Sequence, residues 1–325
     1  MRLVAVAVCC AAALAGCNDP GDTPPTTIPI DQPASARTDG ALPVPPQGAP
    51  RVIMLGTGTP NADPERSGPS VAVIVGGKAY LVDAGPGVVR RAASAALAGE
   101  GALDAANLDV VFLTHLHTDH TVGLTDLMFT PWVLEREAPL HVFGPPGTAA
   151  MTGHLHAAYA EDIRIRIEGF EPANVTGHEV VPHEIEPGVV YEDANVRVVA
   201  FAVPHGSLEH AFGYRFETAD RTIVISGDTG PTEVIAEACN GCDLLVHEVY
   251  STEGFAGRAA IWQRYHSSFH TSTAELADIA SRARPGAILV YHQLYWGTTD
   301  DDLIAEMRAA GWTGPLASAR DLGVY

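Results

Sequence analysis

Four potential metal ligands crowd into one short stretch, His115-Leu116-His117-Thr118-Asp119-His120, and few backbones can accommodate such a segment. Imidazoles and a carboxylate packed this closely are costly to desolvate unless a cation organises them. The preceding run, Leu108-Asp109-Val110-Val111-Phe112-Leu113, has the β-branched and aliphatic character of a buried strand. The cluster therefore sits where a strand gives way to a loop. In extended backbone, residues two apart point to the same side, so His115 and His117 would face one ion. Asp119 and His120 follow in the turn, within reach of a second.

The same habit recurs along the chain. Apolar runs beginning at Arg51, Tyr80, Val196, Thr222, Asp243 and Ala287 lead into Gly56-Thr57-Gly58, Asp83, His205, Asp228, His247-Glu248 and His292. Helix-like stretches separate several of them, at Val88 to Leu97, Thr148 to Asp162, Pro231 to Cys239, Ser272 to Arg284 and Asp300 to Ala310. Alternating strand and helix predicts an α/β body with helices covering the sheets. Ligand sites in such bodies gather beyond the strand ends, so these acidic and imidazole groups are expected at a single cleft.

The His115-x-His117-x-Asp119-His120 loop, with Asp83 upstream and His205, Asp228 and His292 downstream, resembles the metallo-β-lactamase superfamily. Leu55-Gly56-Thr57-Gly58-Thr59-Pro60, Ser226-Gly227-Asp228-Thr229, Val246-His247-Glu248 and His270-Thr271-Ser272-Thr273 narrow the likeness to its ribonuclease Z and arylsulfatase branch. The resemblance covers Arg51 to Tyr325. It implies a four-layer αββα sandwich and two divalent metal ions, usually zinc. One ion would take His115, His117 and His205, and the other Asp119, His120 and His292, with Asp228 between them. A hydroxide shared by the ions would be the nucleophile. Asp119 would also accept a proton, and Glu248 would orient His270, the group that protonates the leaving oxygen. An ordinary imidazole pKa suits that task near neutrality. His266 is a competitor for the role.

Asp83 and His247 are expected behind the ligands, fixing their geometry, although a turn-forming Asp before Gly85 is the plain alternative for Asp83. His154 and His156 form a second His-x-His, but on a helical stretch they face different sides. They are read as ordinary surface or core histidines. His141, His178 and His183 carry no partner pattern, and His210 is close enough to His205 in sequence to line the cleft.

The N-terminus, Met1 to Cys17, is one Arg followed by a short apolar run, as in an export signal. Leu14-Ala15-Gly16-Cys17 resembles a bacterial lipobox, which would make Cys17 a lipidated residue and place the protein outside the cytoplasmic membrane. Asn18 to Pro50, rich in Pro, Thr, Asp and Gly, reads as an extended tether ahead of the folded domain. Cys239 and Cys242 are either a small disulfide or two half-buried side chains in a helix-to-strand turn.

The formal charge is −20, from 39 acidic against 19 basic residues, which argues against a polyanionic partner. Only residues 206–227 separate His205 from Asp228, too few for the basic RNA-gripping arm found in ribonuclease Z enzymes. Together with export, these features predict a small-molecule ester as substrate, of the arylsulfatase or phosphodiesterase kind. They predict no nucleic-acid partner and membrane contact through the lipid alone; the sequence leaves the oligomeric state open, and the resemblance makes a homodimer one option, since relatives often dimerise. Aromatics in Tyr265 to Phe269 and at Tyr295-Trp296 are expected beside the metals, where they would suit an aryl leaving group. A ribonuclease Z-like phosphodiesterase, a lactonase and a non-catalytic metal-binding lipoprotein are the alternatives.

Overall fold

A computed structural model describes residues 42–46 and 48–325. The leader, Cys17 and most of the tether lie outside the described residues. The tether's last residues do not all stand clear of the body, because Leu42 packs against the inter-sheet core.

Among the described residues, thirteen strands form two sheets. The first contains β1 (Arg51–Gly56), β2 (Ser70–Val75), β3 (Lys78–Val82), β4 (Val110–Phe112), β5 (Leu140–Gly144) and β6 (Val180–Glu184), in that spatial order. The second runs from β7 (Gly188–Glu192) through β8 (Arg197–Ala202), β9 (Phe212–Glu217), β10 (Thr222–Ile225), β11 (Leu244–Tyr250) and β12 (Ile288–Leu294) to β13 (Leu316–Ser318). Each sheet is antiparallel where turns or loops join its strands and parallel where helices cross over: β3 to β6 in one, β10 to β13 in the other. Ten α-helices complete the described residues: α1 (Val88–Leu97), α2 (Thr118–Thr121), α3 (Leu124–Val133), α4 (Thr148–Ala158), α5 (Ala160–Glu168), α6 (Glu233–Cys239), α7 (Thr252–Ala256), α8 (Ala260–Phe269), α9 (Thr273–Ala283) and α10 (Asp300–Ala309).

Alternation along the strands divides the interior into three cores. One face of each sheet supplies the layer between them: Val52, Met54, Tyr80 and Phe112 from the first, Val198, Tyr214, Ile223 and Val246 from the second. The other face of the first sheet, Ile53, Leu81 and Val111 among it, packs on Val88, Ala92, Leu124 and Leu127 of α1 and α3. The other face of the second, including Val224, Leu245 and Val290, packs on Ile235, Leu276, Ala280 and Leu303 of α6, α9 and α10. This is the expected αββα sandwich.

The helix predicted over Val88 to Leu97 forms with those bounds. The stretch from Thr148 breaks at Tyr159 into two helices. Cys239, the last residue of α6, is disulfide-bonded to Cys242. Two predicted strand ends are corrected: β11 continues through His247 and Glu248 to Tyr250, and β12 through His292 to Leu294. Asp119 and His120 are likewise in a short helix, α2, and not in an open turn. Among the described residues, no helix is long and apolar enough to cross a membrane.

Candidate metal centre

The parallel strands deliver the predicted side chains to one edge of the sandwich. Asp83 follows β3, residues 114–120 follow β4, Asp228 follows β10, and Glu248 and His292 stand in the last turns of β11 and β12. His205 comes just after β8. Two of these positions need backbone that side-chain-bearing residues seldom adopt: φ is 62° at Asp83 and 47° at His292. Gly227, at φ 62°, has no room for a Cβ, which would lie 2.8 Å from the Phe212 carbonyl oxygen.

Asp83 organises the loop. Its carboxylate accepts the Thr114 backbone N–H at 2.8 Å and the Thr114 hydroxyl at 2.9 Å. Because that hydroxyl proton is committed to Asp83, Thr114 Oγ1 accepts from His115 Nδ1, 2.9 Å away. His120 Nδ1 donates directly to Asp83 at 2.8 Å. His115 is thereby held with a bare Nε2 turned into the cleft, and His120 turns its Nε2 there too, where an ion would displace its proton. His205 is set the same way, since its Nδ1 donates to the Phe269 carbonyl at 2.8 Å.

Three ring nitrogens then meet. His115 Nε2 is 3.0 Å from His117 Nδ1, which is 3.2 Å from His205 Nε2. His117 Nδ1 can carry one hydrogen and donate it once, so at least one of these contacts sets lone pair against lone pair. A cation resolves the conflict: neighbouring nitrogens about 2.1 Å from a tetrahedral ion are about 3.4 Å apart.

A second group adjoins it. Asp119 Oδ2 is 3.3 Å from His292 Nε2 and 3.5 Å from His120 Nε2. Asp228 Oδ2 stands between the groups, 3.3 Å from His120 Nε2, 3.4 Å from His292 Nε2 and 4.0 Å from His115 Nε2. His120 Nε2 and Asp228 Oδ1 are buried and make no hydrogen bond. Such orphaned atoms are expensive unless an ion takes them. The donor set, neutral imidazoles plus carboxylates, fits two divalent ions of the zinc type.

The titration behaviour follows from burial and charge. Burial drives His115 well below its ordinary range and His205 to about 4, so both are lone-pair donors at neutral pH. Burial also opposes a charge on His120, but the Asp228 and Asp83 carboxylates outweigh it and raise its pKa.

Beside Asp228, His270 Nδ1 is 4.0 Å from Asp228 Oδ2 and 3.3 Å from Glu248 Oε2. The Thr271 backbone N–H donates to the other Glu248 oxygen at 2.7 Å. The expected ordinary pKa of His270 is corrected, because burial lowers it to about 4 while burial raises Glu248. Both shifts favour a neutral pair over a buried ion pair. His266 packs its ring 4.4 Å from Trp296 and does not touch Glu248.

His247 alternates with Glu248 along β11, and its Nδ1 donates to the Glu248 carbonyl at 2.6 Å. It is not among the ligand groups. The remaining histidines fall elsewhere: His141 meets His183 at 3.1 Å, His156 meets His178 at 3.0 Å, and His154 is exposed. His210 is half-buried and belongs to no ligand group. Of the expected aromatics, Phe269 lies against His205 and His117, and Tyr265 stacks on it at 4.3 Å. Tyr295 turns instead toward Asp300 and Arg66. Sequence reasoning missed Thr114 and the Phe269 carbonyl. Thr114 adjoins the motif and had a signal, whereas a backbone carbonyl has none.

Comparison with known proteins agrees with this geometry. The profile of the β-lactamase superfamily domain matches residues 78–293. A ribonuclease Z of Mycobacterium sp. (strain KMS) is 35% identical over 270 residues, 82% of this chain and 90% of that protein. Two solved structures share the fold. A metallo-β-lactamase fold protein of Bacillus subtilis has a TM-score of 0.64 at 18% identity, covering 85% of this chain and 99% of its own. The short form of human tRNase Z has a TM-score of 0.62 at 21% identity, covering 85% and 98%.

The likeness to the mycobacterial protein overturns the expectation of a small-molecule ester and no nucleic-acid partner, since that relative is a ribonuclease by name. Net charge misled because it averages over the whole surface, while a polyanion meets only one part of it. The fold implies divalent metal ions, typically zinc, and the chain is a hydrolase of the metallo-β-lactamase superfamily, in its ribonuclease Z-like branch.

Proposed function

We propose that this protein is a metal-dependent phosphodiesterase that cleaves RNA. The observation that carries this reading is the placement of His270, paired with Glu248 at 3.3 Å, 4.0 Å from Asp228 at the edge of the two ligand groups. A centre of this kind needs a nucleophile on one side of phosphorus and a proton for the leaving oxygen on the other. The 35% identity to a ribonuclease Z supports RNA as the phosphodiester.

In this reading His115, His117 and His205 would hold one zinc ion and Asp119, His120 and His292 the second, with Asp228 available to both. Bound there, the ions supply a nucleophile at neutral pH and positive charge for the phosphoryl oxygens. The remaining work belongs to the chain. Asp83, directly and through Thr114, keeps the His120 and His115 lone pairs aimed inward. Asp119 is placed to take the nucleophile's proton. Glu248, itself fixed by the Thr271 N–H, orients His270 toward the leaving oxygen. An anionic phosphodiester beside His270 raises its affinity for the proton that it delivers.

The deciding measurement is hydrolysis of a structured RNA with an unpaired extension, by full-length protein of known zinc content. Chelation should abolish cleavage and zinc should restore it. Metal-loaded protein that leaves such RNA intact would refute the reading.

We also propose that Met1 to Cys17 directs export with lipidation at Cys17, and that the residues from Asn18 hold the domain from 51 to 325 on a tether. Support comes from residue composition alone. Metabolic labelling with palmitate in a bacterial host should mark the wild type and spare Cys17→Ser; equal labelling of both would exclude it.

A further inference from the structure

The acidic chain has several stretches that carry arginines and no carboxylate, and one of them flanks the ligand groups. From Gly254 to Ala274 it carries Arg258 and Arg264 and no carboxylate. Among the described residues neither arginine enters an ion pair, a trait they share with exposed Arg284, Arg308 and Arg320, whereas Arg90, Arg164, Arg166, Arg197 and Arg282 are paired. Arg264 is exposed. Arg258 lies over the Trp262 and Trp296 rings at 5.8 and 5.3 Å, a cation held by aromatic faces in place of an anion.

The same segment exposes large apolar side chains: Ile261 by 76%, Trp262 by 48% and Tyr265 by 38%. They are not a scattered set. The rings form a row that ends at a proposed metal ligand, from Trp262 to Tyr265 at 5.9 Å, to Phe269 at 4.3 Å, and to His117 at 6.4 Å. Helical spacing produces the row, since positions three and four apart share a face of α8.

We propose that α8 is the RNA-contacting platform of this protein, on which Trp262 and Tyr265 stack unpaired nucleobases flanking the scissile phosphodiester while Arg258 and Arg264 contact its phosphates. The inference rests on the ribonuclease reading above and gives that substrate a place on the surface. Aromatic faces stack on every base, and guanidinium groups answer the backbone charge. The row leads an extended strand from solvent to His117, at the ligand groups. Paired nucleotides present no free base faces, so the platform selects unpaired ones.

The test uses the full chain, a synthetic RNA hairpin with an unpaired extension, and the same hairpin blunt-ended. Binding is measured in chelator and cleavage in zinc. Trp262→Ala/Tyr265→Ala should weaken binding of the extended RNA about tenfold or more. Blunt RNA should be affected less, KM should rise more than kcat falls, and Trp262→Phe/Tyr265→Phe should recover most of the loss. Arg264→Gln should reduce the slope of log affinity against log salt by about 0.7. Unchanged affinity in the double alanine variant would overturn the platform. So would equal losses on both RNAs, or a dimer that falls to monomer with KM unaltered. Wild-type protein that binds RNA through α8 without cleaving it would keep the platform and refute the catalytic reading. Wild-type protein that binds neither RNA would refute both.

Discussion

Asp83 Oδ2 and His120 Nδ1 are 2.8 Å apart, and through this contact one buried carboxylate sets the tautomer of a ligand histidine. The same carboxylate reaches His115 through the Thr114 hydroxyl. Asp83 thus holds one imidazole of each ligand group, which explains why strained backbone is kept there.

Replacing it tests the relationship. Asp83→Asn should lower zinc affinity by about 10- to 100-fold, because the carboxamide cannot accept from both Thr114 and His120 as the carboxylate does. Competition with a chromophoric chelator reads this directly. Wild-type affinity in a folded variant would mean that Asp83 serves only as a turn residue.

The proton-delivery roles make a separate forecast. His270→Ala should cut kcat by about 10²- to 10⁴-fold with zinc content unchanged, and Glu248→Gln should cut it less. Metal analysis beside steady-state kinetics distinguishes this from ligand loss. A His270→Ala enzyme with normal kcat would move the role elsewhere.

Arg136 tests the scaffold beneath the site. It is fully buried, and its guanidinium donates to the carbonyls of Leu108, Leu127, Met128 and Gly177 at 2.7 to 2.9 Å. Burial lowers its pKa to about 10, still charged at neutral pH. Arg136→Met leaves four carbonyls without donors and should cost about 3–5 kcal/mol. Thermal unfolding should show Tm falling by roughly 10 °C. A drop under about 2 °C would show that water replaces the guanidinium without cost.

Asp193 supplies a pH dependence. Burial pushes its carboxyl up, but donors from Tyr80, Tyr191 and the Asn195 and Val196 backbone outweigh this and hold it at about 2, below the ordinary 3.8. A depressed folded pKa contributes stability above pH 3.8 that is lost as pH falls toward 2. With the side chain 23% exposed, solvent screening reduces this to on the order of 1 kcal/mol. Denaturant titrations at pH 5 and pH 2.5 should show that increment in the wild type and not in Asp193→Asn. Parallel losses in the two proteins would assign the acid sensitivity to other groups.

The residues at the centre were legible before the fold because each announces itself locally. A ligand-dense loop after an apolar run, and Asp or His beyond other such runs, are patterns within a few residues. The αββα layering followed from the same alternation and from the likeness those motifs carry. Helix α3 was not anticipated, since Leu124–Val133 is apolar on most sides and contains Pro131, leaving no amphipathic stripe to read. Helix α8 was not anticipated either, although Trp262, Tyr265 and Phe269 recur at helical spacing, a signal that the sequence does carry.

By itself the sequence determined which side chains can bind metal and that they follow the strands of a layered body. Only the tertiary structure decided that β11 and β12 run on through Glu248 and His292, that His270 and not His266 meets Glu248, and that its pKa is displaced to about 4. It also decided that the Phe269 carbonyl holds His205, and that a row of rings runs from Trp262, with Arg258 over it, to His117 in a chain of net charge −20. The physical reason is range. Ligand chemistry and strand pattern are written in neighbouring residues, whereas desolvation, carbonyl partners and the local sign of charge depend on what distant segments bring into contact.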